Sequence, residues 1–392
     1  MDSRQQRIGL NAHLLNLSGN YRSAGINWYI YHLLQNLSPA PDLQYTVFLS
    51  EPRAREHFKN LAIARSNLPT HQPIIRILWE QFIQPFALSR DCIDLLHALA
   101  FAGPLAISIP WIVTVFDLSF MRYPQLFNAS NRIYLTWAVR QSARRADRVI
   151  VISESTKRDL AQMFGAREDK IVVVYCGADP SFAPSQDKIK INQFRQERNL
   201  PEKMILHVGT IEPRKNIPRL IRAFARAKRA AHLPHRLVLV GARGWKYSEV
   251  DSVIEQEQIA SDVIFAGYVP QDELPLWYQA ADLFTYPSLY EGFGLPPLAA
   301  MASGVPVITS NASSLPEVVG DAALQVSPDD EPALADAIVR AATDKSLREQ
   351  MIERGIQQSK KFSWERAGRE TVALYRTVLA ERATKGANHA AA

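Results

Sequence analysis

The sequence predicts an α/β protein of two facing, Rossmann-like, doubly wound parallel-sheet domains, with a last helix crossing back onto the first. Three observations carry this. Short apolar runs alternate with helical patterns over almost the whole chain, the signature of strand–helix–strand units whose sheets are covered on both faces. The 392 residues are about two and a half times a domain of roughly 150. One polar break, Ala183–Lys190 (APSQDKIK, with Pro184), interrupts the series before a fresh set of elements begins. The expected domains are therefore 1–185 and 186–361, followed by 362–392 as the returning helix and a frayed tail.

The candidate strands of the first half are Arg7–Ala12, Tyr45–Ser50, Trp111–Phe116, Arg148–Ser153 and Ile171–Tyr175. Those of the second half are Met204–Val208, Arg236–Val240, Val263–Gly267, Leu283–Tyr286 and Val305–Thr309. Between them lie amphipathic stretches such as Ile217–Lys228 (IPRLIRAFARAK), whose apolar residues fall at helical spacing. Phe362–Glu381 reads as one or two amphipathic helices, and KGANHAAA after it as the tail. Two facing sheets of this kind leave a cleft at the carboxyl ends of their strands, so chemistry is sought in the loops just after strands.

Composition narrows the class. At 47% hydrophobic and 21% charged the chain is neither disordered, collagen-like nor a disulfide miniprotein. No apolar run reaches the ~18 residues of a membrane span, and the polar Met1–Arg7 does not read as a signal peptide. Cys92 and Cys176 lie far apart and are expected to be buried free thiols, which points to a cytoplasmic protein. The net charge of +6 is uneven: residues 1–185 carry +5 and the remainder +1. That asymmetry suggests an anionic partner for the first half, against a solvated arginine-rich surface as the plain alternative.

Two loops of the second half stand out. Gly209-Thr210-Ile211-Glu212-Pro213-Arg214-Lys215-Asn216 follows a strand and precedes a helix. Its adjacent cations either bind a diphosphate, Arg214 by a planar fork and Lys215 as a point charge, or form a solvated turn. Pro287-Ser288-Leu289-Tyr290-Glu291-Gly292-Phe293-Gly294-Leu295-Pro296-Pro297 also follows a strand. Its glycines permit close backbone approach, and Pro296 suits a helix start whose N–H groups and dipole attract an anion. Glu291 would repel phosphate there, so it either accepts hydrogen bonds from sugar hydroxyls or caps the helix.

In the first half, Ser18–Gly25 is a glycine-containing loop opening a helix at Ile26, without GxGxxG. Asp117 follows an apolar strand, as a turn cap or as a functional carboxylate. DxD, HExxH, CxxC, GxxxxGK[ST] and GxSxG are all missing, which argues against a bound metal, a P-loop and a serine-hydrolase elbow. His13, His97 and His207 sit at strand ends as core or cleft histidines.

VGTIEPRKNIPRLIRAF (Val208–Phe224) and SLYEGFGLPPLAAMASGVPVITSNASSLPEV (Ser288–Val318) resemble glycosyltransferase family 4, retaining enzymes of the GT-B fold. Arg22–Leu37, Thr114–Phe127, Val151–Leu160, Gly177–Phe182 and Phe265–Phe284 extend the resemblance along most of the chain. It implies that Arg214 and Lys215 neutralise the diphosphate of a nucleotide-sugar donor in place of a metal, with no cofactor. It implies that Glu291, the first glutamate of the family's EX7E motif, holds the sugar hydroxyls. Gly25, Asp117, Gly209 and the backbone of Gly292, Phe293, Gly294 and Leu295 would contact the donor, and Gly267, Tyr268 and Val269 would line the base pocket.

Two positions depart from the family. The second glutamate of EX7E falls at Ala299, where the family binds the ribose hydroxyls, and its loss is worth on the order of 1.5–3 kcal/mol of donor affinity. Phe116 stands where many relatives carry a histidine facing the donor sugar. Thr114–Phe127 is most similar to mannosyltransferase-type members, so the resemblance implies transfer of mannose from a nucleotide-diphosphate sugar to a saccharide or lipid-linked acceptor. A UDP-hexose donor, a sucrose- or glycogen-synthase-like activity, and a weakly catalytic nucleotide-sugar- or glycan-binding protein are the alternatives. Acceptor recognition would fall to first-domain loops, including His71–Phe86. Arg132–Arg158, rich in arginine and holding Tyr134 and Trp137, reads either as a peripheral contact with an anionic membrane or as a solvated face over core aromatics. The basic residues lack the interleaved aromatics of a nucleic-acid binder.

Overall fold

The computed structural model describes residues 4–17, 25–37, 40–244 and 248–390. Most of the loop read at Ser18–Gly25 lies outside them; only Gly25 is described. The chain forms two units, Met1–Gly177 with Trp364–Ala392, and Ala178–Ser363; the sequence reading places the first division at 185/186.

The first unit is a seven-stranded parallel sheet: β1 Gln6–Asn11, β2 Leu43–Leu49, β3 Ala62–Arg65, β4 Leu95–Ala98, β5 Trp111–Val115, β6 Arg148–Val151 and β7 Ile171–Val173. Its order is β3-β2-β1-β4-β5-β6-β7. Ile8 of β1 lies opposite both Tyr45 and Leu95. The middle strands are buried on both faces (Ile8, Leu10, Leu95, Leu96, Ile112, Val113), as sheets sandwiched between helices require.

Strands β3 and β4 are not among the sequence candidates. AIAR and LLHA are four residues long and rich in Ala and Leu, which favour a helix as readily as a strand. His71–Phe86, read as loop, is largely helical: Pro73–Leu78, a π-helical turn Trp79–Ile83 and Gln84–Arg90 run on continuously. Pro73 stands at the first helical position, where a missing N–H costs nothing. Cys92 is exposed, not buried, because it occupies a left-handed turn (φ 51) after that helical run, whereas Cys176 is buried; both are free thiols.

The last helix, Trp364–Ala390, belongs to the first unit and is one helix, not two. It continues to Ala390, into the segment read as a frayed tail, with no proline to stop it. It lies against the helix Ile26–Asn36. Trp364 stacks on His32 at 5.0 Å between ring centroids. Tyr375 Oη bonds His97 Nδ1 at 2.7 Å, and His97 Nε2 bonds Thr114 Oγ1 at 2.8 Å. With both nitrogens engaged and burial lowering its pKa to about 3, His97 is a neutral structural link. Arg376 clasps Asp42 through two 2.8 Å bonds. Gly368 permits the helix contact, because a Cβ there would stand 2.0 Å from the Asn36 carbonyl oxygen.

The second unit is a six-stranded parallel sheet: β8 Met204–Val208, β9 Arg236–Val240, β10 Val263–Gly267, β11 Leu283–Tyr286, β12 Val307–Ser310 and β13 Leu324–Val326, ordered β10-β9-β8-β11-β12-β13. The short, half-buried edge strand β13 escapes the periodicity reading. The helix Ile217–Ala231 follows β8 and buries Ile217, Leu220, Ile221 and Phe224, its i, i+3, i+4, i+7 face. No helix of the described residues is long and apolar enough to cross a membrane.

Gly368→Ala should lose about 1–3 kcal/mol of stability by overpacking the Asn36 contact. The neighbouring exposed Arg369→Ala should stay within about 0.5 kcal/mol of the parent. Thermal unfolding of the two variants side by side checks this, and equal melting would refute the contact.

Candidate active site

Strands β8, β9 and β10 are laid down in one direction, and the chain then returns to place β11 on the other side of β8. Leu283 and Phe284 lie opposite Ile205 and Leu206. The loops after β8 and β11 are thereby neighbours at the carboxyl edge, the usual ligand position in such sheets. They are joined by backbone: Leu289 N–H donates to the Arg214 carbonyl at 2.8 Å.

Pro213–Lys215 makes one tight helical turn, closed by Asn216 in the left-handed region (φ 60). That turn aims Arg214 and Lys215 at the β11 loop. Arg214 Nη1 donates to Glu291 Oε2 and to the Tyr290 carbonyl, each at 2.8 Å, while Nε and Nη2 both hold Glu212 Oε1 at 3.1 and 2.8 Å. Lys215 Nζ donates to Glu291 Oε1 at 2.7 Å and to Tyr286 Oη at 2.5 Å. Ser288 Oγ adds a 2.6 Å bond to Glu291 Oε1. Two cations and two carboxylates thus form one buried, charge-balanced cluster.

Burial alone would raise the Glu291 pKa, but Arg214, Lys215 and the hydrogen bonds outweigh it and hold it at about 2. Burial, then Arg214, lower that of Lys215 against the pull of Glu291 and Glu212. His207 lies beneath. Its Nδ1 must carry the proton, because it donates to the Thr285 carbonyl at 3.0 Å. Its ring stacks on Tyr286 at 5.3 Å, and Nε2 has no partner among the described residues. Burial lowers its pKa to about 4, so the ring is neutral.

Gly292–Leu295 follow directly. Ser314 Oγ shares its one proton between the carbonyls of Glu291 and Phe293, at 2.9 and 2.6 Å, and Glu291 N–H donates to Ser313 Oγ at 2.8 Å. Gly294 (φ 125) is the N-cap of the helix Leu295–Ala302, with no side-chain cap. Glu291 is therefore not the helix cap. Pro296 and Pro297 carry no N–H, so the donors near this end are the backbone amides of Gly292, Phe293, Gly294 and Leu295. Gly209, Gly241 and Gly267 occur where β8, β9 and β10 end. A Cβ on Gly241 would stand 2.0 Å from the Gly209 carbonyl oxygen, and its N–H donates to Gly267 at 2.7 Å. Tyr268 is exposed and Val269 buried beside this run.

The second unit thus brings together Arg214, Lys215, Glu291, Gly209 and Gly292–Leu295. Ala299 is buried on the helix Leu295–Ala302. Gly25, Phe116 and Asp117 belong to the first unit. Gly25 (φ 57) caps the helix Ile26–Asn36. Phe116 packs edge-on against Tyr29 and Phe101 at 4.9 and 5.4 Å. Asp117 Oδ1 accepts from the backbone N–H and hydroxyl of Ser119 at 2.9 and 2.6 Å, which makes it a turn cap. Sequence reasoning missed Glu212, Tyr286, Ser288, Ser313, Ser314 and Gly241. The readable signals were the serine pair in SNASSLPEV and the glycine directly after an apolar strand in VLVGARG.

Residues 23–182 match the family model "Glycosyltransferase Family 4", and residues 188–358 match "Glycosyl transferases group 1". The chain is 33% identical over 265 residues to O-antigen chain mannosyltransferase B of Escherichia coli, covering 68% of this chain and 70% of that protein. Among solved structures it is similar to sucrose-phosphate synthase from Thermosynechococcus elongatus, with TM-score 0.77, 25% identity, and 96% and 100% of the two chains covered. Anabaena HepE in complex with UDP and glucose shares the fold at TM-score 0.73 and 19% identity, over 95% and 100% of the chains. With both halves matched and the two parallel sheets in place, the chain belongs to glycosyltransferase family 4 and is a GT-B-fold glycosyltransferase close to the mannosyltransferases.

Proposed function

We propose that this glycosyltransferase moves a hexose, mannose as first assignment, from a nucleotide-diphosphate sugar to a saccharide or lipid-linked acceptor, with retention and without a metal ion. The observation that carries the reading is the pair of half-buried Arg214 and buried Lys215, held by Glu291 at the carboxyl edge of β8 and β11.

Breaking a glycosyl-diphosphate bond builds negative charge on the phosphate and positive charge on the sugar. Cations already fixed in place stabilise the first without reorganisation at the moment of reaction. In this reading the diphosphate takes over the Arg214 fork from Glu212 and shares Lys215 with Glu291, while the backbone amides of Gly292–Leu295 face the same oxygens. Glu291, ionised by its two cationic neighbours, receives the sugar hydroxyls. The leaving phosphate takes the acceptor's proton as the new bond forms on the same face, so no enzyme nucleophile or second carboxylate is needed. Gly267, Tyr268 and Val269 flank the base.

Mannose is supported by the relative named as a mannosyltransferase. A UDP-hexose donor is the second reading, since HepE, which shares the fold, is seen in complex with UDP and glucose. Incubation with GDP-mannose, UDP-glucose and ADP-glucose, read by nucleotide release, separates the two. GDP release supports the first reading, UDP release the second, and no release from any donor overturns both.

Arg214→Ala should lower kcat/KM by about 10²–10³-fold, the scale of one lost oxyanion-type donor, and unchanged turnover would remove it from the site. Ala299→Glu, which restores a charged hydrogen-bond acceptor, should lower the donor KM about ten-fold or more; an unaltered KM would place the ribose elsewhere.

The site also sets an acid limit. The Glu291 pKa is lowered from 4.5 to about 2 on folding. Its stabilising contribution is complete above pH 4.5 and is lost as the pH falls from there toward 2. Glu291→Gln should be less stable at neutral pH and show a flatter melting-temperature curve between pH 5 and 2, measured by thermal unfolding across that range.

A further inference from the structure

We propose that the helical run Pro73–Arg90 and the helix Ala129–Arg145 form a docking surface for an anionic lipid bilayer. Ile74, Leu78, Phe82 and Phe86 recur every four residues along the first run, and Ile74, Phe82 and Phe86 are 74%, 66% and 77% exposed. Ile133 and Trp137, again four apart, are exposed on the second helix at 65% and 51%. Apolar side chains this large and this exposed concentrate here among the described residues, and they follow helical periodicity, as in a helix lying in a membrane interface.

Both helices cover the same part of the first unit. Trp79, Ala87 and Leu88 from one, and Val139 and Ala143 from the other, enter a single core cluster. The loop at Gly103–Leu105 links the middle of the first run to the carboxyl end of the second helix. Gln81 Nε2 donates to the Gly103 carbonyl and Leu105 N–H donates to Gln81 Oε1, each at 3.1 Å. Arg145 Nη1 donates to the Leu105 carbonyl at 3.1 Å. The apolar row therefore adjoins the cationic helix.

Charge selects the occupant. Arg132, Arg140, Arg144 and Arg145 lie on the helix Ala129–Arg145, which has no acidic residue. The only acid of the run Pro73–Arg90 is Glu80, which is buried beneath it and bonded to Asn11. Arg132, Arg140 and Arg144 line an open groove with Ile133 and Trp137, which suits phosphate headgroups beside inserted apolar side chains. A second copy of the chain, meeting this face by a two-fold axis, would oppose the same arginines to themselves. The sequence reading placed a membrane contact at Arg132–Arg158 alone; the apolar half of the surface comes from the segment read there as loop.

Co-sedimentation tests this with vesicles of phosphatidylcholine carrying about 30 mol% phosphatidylglycerol, against phosphatidylcholine alone. The protein should bind the anionic vesicles and not the neutral ones. Phe82→Ser with Phe86→Ser, and separately Arg140→Glu with Arg144→Glu, should each reduce the bound fraction at least about ten-fold, with melting temperature unchanged. Absence of binding to anionic vesicles, or binding unaffected by the phenylalanine pair, overturns the proposal. A solution dimer that the phenylalanine pair dissociates also overturns it, since a second copy then covers the row.

Discussion

Arg214 and Lys215 are adjacent cations whose side chains are largely withdrawn from water, an arrangement that could not stand alone. Desolvating one charge without a partner costs several kcal/mol, and two like charges cost more. Glu291 resolves this by giving one carboxylate oxygen to each cation, and Glu212 takes the remaining edge of the guanidinium. The carboxylate comes from the loop after β11 and the cations from the loop after β8, so neutralising the charge also locks the two loops together. The reversal of strand order between β8 and β11 is what makes those loops neighbours. Ser288, Ser313 and Ser314 then complete the hydrogen bonding of the β11 loop.

Two buried polar clusters, one in each unit, differ in kind. In the first, the polar chain Tyr375–His97–Thr114 is neutral and ties a helix to the sheet, with Tyr29 reaching the same threonine at 3.3 Å. In the second, buried polarity is ionic and gathered at a strand edge. A neutral chain gives rigidity without a strong field. An ionic cluster held in register also gives a field with which an incoming anion can interact.

Much of this was readable in the residues. Met204–Val208, Arg236–Val240, Val263–Gly267 and Leu283–Tyr286 appear as expected because each is a short, largely apolar run that contains β-branched residues. Arg214, Lys215 and Glu291 were legible because they follow such runs directly. What stayed hidden depends on contacts across the chain. LLHA at β4 has no local preference that separates strand from helix, and its burial between β1 and β5 decides it. Ser288 and Tyr286 become site residues only once the two loops touch. The Pro73–Arg90 run carries two prolines, Pro73 opening it and Pro85 following the π-helical turn Trp79–Ile83, so its helical continuity depends on that local turn. Asp117, open between two roles in the sequence, turns to Ser119 because a hydroxyl and an amide lie two residues away.

The second unit begins at Ala178 and ends at Ser363, and these two residues pair as a parallel bridge. In the order of the chain it is inserted, entered and left at one point, within a first unit whose closing helix is made after it. On the ribosome the usual order is then inverted. The inserted sheet has all its residues, while the sheet begun first still lacks the helix that stacks on His32 and bonds His97. A chain ended after Ser363 would hold every residue of the second unit and an uncapped first one, so the amino-terminal unit waits longest for its last contact.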